Sequence, residues 1–175
     1  MPYYSELELK SFGFRSIGKN VKISTLTSIY NPENIEIADN VRIDDFVMLS
    51  GRINIKSYSH ITPYCMIAGG VPGVFIFENV TLAYGVKVFS QSDDYLGDSL
   101  VNSLIPRKFK KEIFEPVYIF KHSVIGANSI ILPGVRINEG VSVGAMTLVN
   151  KSLNPWTLNF GVPVKQIKEK SRGLL

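Results

Sequence analysis

At 175 residues the chain is long enough for one domain with a sizeable core, and 45% apolar against 19% charged residues excludes a disordered chain or a coiled coil. The net charge of +4, from 19 Lys and Arg against 15 Asp and Glu, is too mild for a nucleic-acid footprint, which needs bases clustered on one face, while a small anion needs only two or three. One cysteine, Cys65, excludes an internal disulfide framework and a multi-cysteine zinc site, and no run of about 18 apolar residues predicts a membrane span. The opening MPYYSELELK carries acids and no apolar core, so no secretory signal is expected there and the expected compartment is the cytoplasm.

Residues 1–13 read as a lead-in, with one short helix over Tyr4 to Phe12 ended by Gly13. A period of six follows. Branched apolar residues stand at Ile17, Ile23 and Ile29, then at Ile37, Ile43, Leu49, Ile55, Ile61 and Ile67. The spacing holds at Ile76, Leu82 and Val88, and again from Ile119 through Ile125, Ile131, Ile137 and Val143 to Val149. A second set of small or β-branched residues lies four positions after these, as in Val41, Val47, Ile53, Ser59 and Cys65, then Ser123, Ser129, Val135, Val141 and Thr147. Neither the helical period of 3.6 nor simple strand alternation generates this double register. A short strand followed by a turn does, with three such units closing one triangular coil of about 18 residues whose apolar edge is buried only by stacking on further coils. Gly, Asn and Asp at the predicted corners, as in Gly18-Lys19-Asn20 and Asn138-Glu139-Gly140, tolerate the positive φ of a tight turn.

Two stretches interrupt the repeat. Residues 68–75, AGGVPGVF, carry turn signals and loosen the register by a few residues; residues 90–115 break it completely. A long insertion in a rigid solenoid is more often functional than decorative. The repeat is expected to run over 14–153. Residues 154–175 leave it through Asn154-Pro155-Trp156, a short strand over Thr157 to Phe160, and a basic helix from about Val164. The predicted architecture is therefore all-β, with a short helix at each end of one domain.

These residues resemble the hexapeptide-repeat acyltransferases from Ile17 to Lys168, most specifically in the repeat itself. The stretches Val124-Ile125-Gly126-Ala127-Asn128 through Pro133-Gly134-Val135, and Val143-Gly144-Ala145 with Gly161-Val162-Pro163, are similar to that family's coils at the acyl-donor end. Within the family, Val41-Arg42-Ile43-Asp44-Asp45-Phe46, Ser57-Tyr58-Ser59-His60-Ile61 and Ser92-Asp93-Asp94-Tyr95 resemble bacterial enzymes that acylate nucleotide-linked or surface-polysaccharide sugars. The resemblance implies a left-handed parallel β-helix, a homotrimer with sites between subunits, and acetyl-CoA as co-substrate. It assigns Ala127 and Ala145 to the path of the pantetheine arm, and Lys151, Lys165 and Lys168 to the nucleotide end of coenzyme A, where point charges attract phosphate.

Acyl transfer from a thioester needs a nucleophile, an acceptor for its proton and donors for the developing oxyanion. Sugar acetyltransferases of this fold use a histidine in the loop after the middle coils; the matching stretch here, Val88 to Tyr95, has none. A hydroxyl must be deprotonated as it attacks, whereas a sugar amine is partly neutral near pH 7 and is served by a carboxylate. Asp93 is therefore the first candidate for the base, with Asp94 and Tyr95 placing the sugar and His60 and His122 the runners-up. An Asp-Asp pair in a loop also reads as a turn, and a corner histidine as structural. Arg107, Lys108, Lys110 and Lys111 form either a second anion contact or a solvated loop face. Cys65 falls on an inward position and reads as core, so attack is expected to be direct, without an acyl-enzyme. No metal is expected. The resemblance thus implies an N-acetyltransferase acting on a nucleotide-linked amino-deoxy sugar, with dTDP the expected nucleotide and surface polysaccharide the destination. An O-acetyltransferase on a sugar hydroxyl and a non-catalytic β-helix scaffold are the alternatives.

Overall fold

The six-residue stack is realised as three parallel ladders. The computed structural model describes residues 2–173. On the first face Ile17, Ile37, Ile55, Ile76, Ile119 and Ile137 are successive partners. Ile23, Ile43, Ile61, Leu82, Ile125 and Val143 form the second face, and Ile29, Leu49, Ile67, Val88, Ile131 and Val149 the third. Apart from Ile17 and Ile29 in the first coil, all are buried in one continuous core. Each such side chain contributes roughly 1.5–3 kcal/mol by leaving water. The second set is buried as well, and its polar members are satisfied locally. The Ser59 hydroxyl donates to Phe77 O at 3.0 Å, Ser123 to Asn138 O at 3.1 Å and Ser129 to Gly144 O at 2.9 Å. The result is a left-handed parallel β-helix of about seven coils.

A coil takes 18 residues where Ile37 pairs Ile55. The Pro32–Asn34 turn lengthens an earlier one, 68–75 lengthens a later one, and 90–115 separates Ile76 from its partner Ile119. That last excursion is sealed at its base: Glu115 N donates to Ser90 O at 3.0 Å, and the buried Ser90 hydroxyl donates to Gly69 O at 2.5 Å. Above the seal, Gln91–Ser92 pairs antiparallel with Ile113–Phe114.

Two corners repeat the same backbone twist coil after coil. Asn20, Asn40, Tyr58, Asn79, His122, Gly140 and Trp156 turn the first face into the second, all at positive φ. Phe46, Tyr64, Gly85, Asn128, Met146 and Gly161 turn the second into the third, again at positive φ. Asparagine and glycine suit such corners, while other residues pay roughly 1–2 kcal/mol for the left-handed conformation.

Both ends of the stack are closed. At the lower end the helix spans Glu6–Ser11, shorter than the predicted Tyr4 to Phe12, because Tyr4 N is taken by Ile23 O at the open edge of the first coil. Its capping box pairs Ser5 with Glu8, and Leu9 covers the core. At the upper end the expected basic helix is absent. Lys165–Glu169 is instead a strand, antiparallel to Thr157–Phe160. A short isolated helix gains little in water, whereas the last rung offers a row of unpaired backbone groups that this strand satisfies. No helix among the described residues is long and apolar enough to cross a membrane.

Close stacking leaves no room for a side chain at some rungs. A Cβ on Gly126 would lie 2.4 Å from the Ala145 backbone nitrogen of the next coil. Gly126→Ala is expected to destabilise the fold by about 1–3 kcal/mol, read as a lowered urea midpoint with an unchanged m-value.

Candidate active site

Stacking turns a separation of one coil into side-by-side contact on the outer surface. Ala127 and Ala145 follow Ile125 and Val143 by two positions and lie one above the other at the corner between the second and third faces; Met146 N donates to Ala127 O at 2.8 Å. Ala127 is half-buried and Ala145 exposed, so two small side chains follow one another at this corner, with exposed Tyr84 in the coil below and exposed Met146 beside Ala145. Above it, Lys165 pairs opposite Phe160 and Lys168 opposite Leu158, with a bulge between. The bulge cancels the strand alternation and puts both lysines on the outward face of the hairpin. Lys151 is exposed at the turn after the last third-face strand. The residues expected on the donor side are thus gathered on the upper coils, Lys165 and Lys168 by a strand in place of the expected helix.

The two adjacent loop aspartates have different surroundings. Asp94 holds the loop: it accepts from Leu96 N at 2.8 Å and from the Ser99 hydroxyl at 3.1 Å, and the backbone donor holds its carboxyl below the usual range. Both of its oxygens are therefore engaged within the loop. Asp93 is half exposed, with Lys110 Nζ 3.5 Å from Oδ1. That ammonium is also 2.9 Å from Glu112 Oε1, and the Glu112 bond is the main reason its pKa is raised. Tyr95 is 90% exposed and directed at solvent. Of the other loop bases, Lys111 pairs with Asp98 at 3.4 Å and Lys108 lies over the Phe109 ring at 4.9 Å, so much of the basic run is neutralised or packed within the loop. Beneath the loop, a cleft of about 500 Å³ is lined by Asn31, Ser50, Gly70, Arg107, Lys110 and Glu112.

The histidines lie on other parts of the surface. His122 is a corner residue at φ 62°, its Nδ1 2.9 Å from the Asn79 side-chain nitrogen. The contact joins two successive corner residues, one coil apart, and matches a structural corner. His60 sits on the outer side of the second face with Nε2 2.7 Å from Asp44 Oδ2, while Arg42 Nε donates to Asp44 Oδ1 at 2.7 Å. Asp44 itself is buried. This cluster was legible only by writing the sequence in coils, because Arg42 and His60 precede paired isoleucines one coil apart. Cys65 is buried as expected, and burial pushes its thiol up, away from nucleophilic use. Among the described residues, no group of three His, Cys, Asp or Glu could hold a metal ion.

Burial alone would push Asp44 up, but hydrogen bonds from His60 and Arg42 overcome it and leave the carboxyl below its ordinary value. A carboxyl depressed on folding adds stability that is complete above its unfolded pKa of about 3.9 and is lost as the pH falls through the lower folded value. Asp44→Asn is expected to cost about 1–3 kcal/mol at neutral pH. In urea titrations at a series of pH values, the gap from the parent should close below about pH 4.

No protein-family model matches the chain. It is 39% identical over its whole length to the dTDP-4-amino-4,6-dideoxy-D-glucose acyltransferase of Escherichia coli, covering 92% of that protein. AntD, an N-acyltransferase from Bacillus cereus solved with dTDP and 3-hydroxybutyryl-CoA, is 46% identical and superposes with a TM-score of 0.97 over 99% of this chain and 93% of its own. A hexapeptide-repeat-containing acetyltransferase from Vibrio cholerae, solved with acetyl coenzyme A, is 18% identical over 94% of this chain and 76% of its own, with a TM-score of 0.67, and shares the fold. With its six-residue stacks and this whole-length identity, the chain belongs to the hexapeptide-repeat acyltransferases.

Proposed function

We propose that the protein transfers an acyl group from acyl-CoA to the amine of a dTDP-linked 4-amino-4,6-dideoxy sugar. The observation that carries this reading is the whole-length identity to the E. coli dTDP-amino-sugar acyltransferase. A second support is AntD, 46% identical, which in one serine-to-alanine variant is solved with dTDP-4-amino-4,6-dideoxyglucose and coenzyme A. The small side chains of Ala127 and Ala145, stacked one coil apart, suit the pantetheine arm, with Lys151, Lys165 and Lys168 near the phosphates. Such an enzyme works as a homotrimer, the loop of one copy reaching the groove of the next, and acts in the bacterial cytoplasm on precursors of surface polysaccharide.

The chemistry follows from the groups available. The neutral amine attacks the thioester carbonyl directly, forming the C–N bond and a tetrahedral oxyanion held by a backbone N–H at the coil edge. Of the adjacent pair, Asp93 is the carboxylate left accessible to an incoming amine, because Asp94 is engaged by Leu96 and Ser99. It takes the ammonium proton as the C–N bond forms. Collapse then breaks the C–S bond and releases coenzyme A, whose sulfur leaves as thiolate and is reprotonated from water. Lys110, which joins Asp93 to Glu112, fixes the carboxylate at the loop base. His60 is tied to Asp44 and His122 to Asn79, so neither serves as the base in this reading.

Release of coenzyme A thiol, followed with a dTDP-4-amino-4,6-dideoxy sugar and with its 4-hydroxy counterpart, should show turnover with the amine only. Turnover confined to the hydroxyl would return the base to His60 or His122. Asp93→Asn should leave the oligomer intact and lower kcat by about 10²-fold. Lys165→Ala should raise the KM for acetyl-CoA more than that for the sugar, and equal effects on both would indicate a folding defect. Running acetyl-CoA beside 3-hydroxybutyryl-CoA fixes the acyl group, acetyl being expected to give the higher kcat/KM.

A further inference from the structure

One column of outward residues changes size abruptly along the corner between the second and third faces. Asp45, Pro63, Tyr84, Ala127 and Ala145 each stand two positions after an inward residue of the second face, one per coil from the lower end upward. The backbone keeps them in register: Gly85 N donates to Pro63 O at 3.0 Å, Asn128 N to Tyr84 O at 2.8 Å and Met146 N to Ala127 O at 2.8 Å. The two upper members are alanines. The member directly beneath them is a tyrosine.

Nothing in the fold accounts for that ring. Tyr84 is 61% exposed, so it covers little of the core. Among the described residues its hydroxyl has no hydrogen-bond partner and its ring stacks on no other. The left-handed turn of this coil falls on the next residue, Gly85, so the backbone at Tyr84 does not select its side chain either. A coil rises by about 4.8 Å, less than the reach of a tyrosine side chain. The ring therefore stands within reach of whatever lies against Ala127.

The direction of the donor decides what that is. With its phosphates at Lys165 and Lys168, coenzyme A passes Ala145 first and Ala127 next, so the thioester and its acyl group come last. From Phe160, opposite Lys165, down to Tyr84 is three coils, roughly 14 Å, a span that suits a pantetheine arm. We propose that Tyr84 sets the length of the acyl group, its ring closing the lower end of the donor path so that an acetyl group fits and longer chains are excluded. Exclusion by a wall costs the larger substrate its binding and leaves the smaller one untouched. The inference rests on the acyl-CoA reading above, and it supplies the physical reason for the acetyl preference expected there.

The test is release of coenzyme A thiol from acetyl-, butyryl- and 3-hydroxybutyryl-CoA, with dTDP-4-amino-4,6-dideoxyglucose as the common acceptor. The parent, Tyr84→Ala and Tyr84→Phe are compared. The parent should favour acetyl-CoA over both longer donors in kcat/KM by about 10–200-fold. Tyr84→Ala should narrow that gap at least tenfold, through gains with the longer donors, and Tyr84→Phe, which keeps the ring, should retain it. An unchanged gap in Tyr84→Ala overturns the gate and leaves the proposed reaction standing. A raised KM for the sugar, with all three donors affected alike, overturns it in favour of a contact to the acceptor. Equal losses together with a smaller particle in sedimentation overturn it in favour of a packing role between copies of the chain. A parent that turns over none of the three donors removes the acyl-transfer reading, and this gate with it.

Discussion

Each coil of this β-helix can bury its three inward branched side chains only against the coil above and the coil below. Ile43 is covered by Ile23 and Ile61, and Ile125 by Leu82 and Val143. The register of six is therefore a constraint that every rung must obey, since one slip would turn the inward set toward solvent along all later coils. Elsewhere the chain adapts to it. Corners accept left-handed backbone, glycines such as Gly126 make room for the next coil, and hydroxyls that fall inside find backbone carbonyls. The ends are closed because the first and last rungs have no further rung to pair with. Leu9 and the Tyr4 edge serve below, and the Lys165–Glu169 strand serves above.

A core built this way leaves no interior space for chemistry, so function is placed on the outside. Two kinds of position are available. Outward residues at corresponding points of successive coils become neighbours, which brings Arg42 and His60 onto Asp44, stacks Phe46 on Tyr64, and aligns Ala127 with Ala145. Insertions at a corner supply the rest, provided they return to the rung they left. The 90–115 excursion meets that condition through the Glu115-to-Ser90 bond at its base, so its composition is free of the repeat. An aspartate can therefore be offered at the loop base without burying a charge in the core.

The electrostatics of that loop separates two residues with the same side chain. Backbone and hydroxyl donors surround Asp94 and convert it into a turn-holder, while Asp93 meets only an ammonium that Glu112 also engages. A carboxylate whose partner is shared remains open to an incoming amine; one whose oxygens are both engaged does not. The same logic applies to the histidines, each of which already has a partner on its own face.

The sequence by itself determined the β-helix, the three faces, the inward place of Cys65 and the position of the long insertion. All follow from a period of six that repeats over most of the chain and has few physical solutions. Through likeness to a family it also suggested Ala127, Ala145, Lys151, Lys165 and Lys168 for the donor side, and the fold places these on the upper coils. What it left open was decided by contacts across coils or by competition for unpaired backbone. The tail from Val164 has the composition of a basic helix, yet it is a strand because the last rung needed a partner. The Asp44 cluster and the Phe46–Tyr64 stack join residues 16 and 18 positions apart, and only the coil length makes them neighbours. Asp93 and Asp94 are identical in the sequence, and the donors that distinguish them come from the folded loop around them.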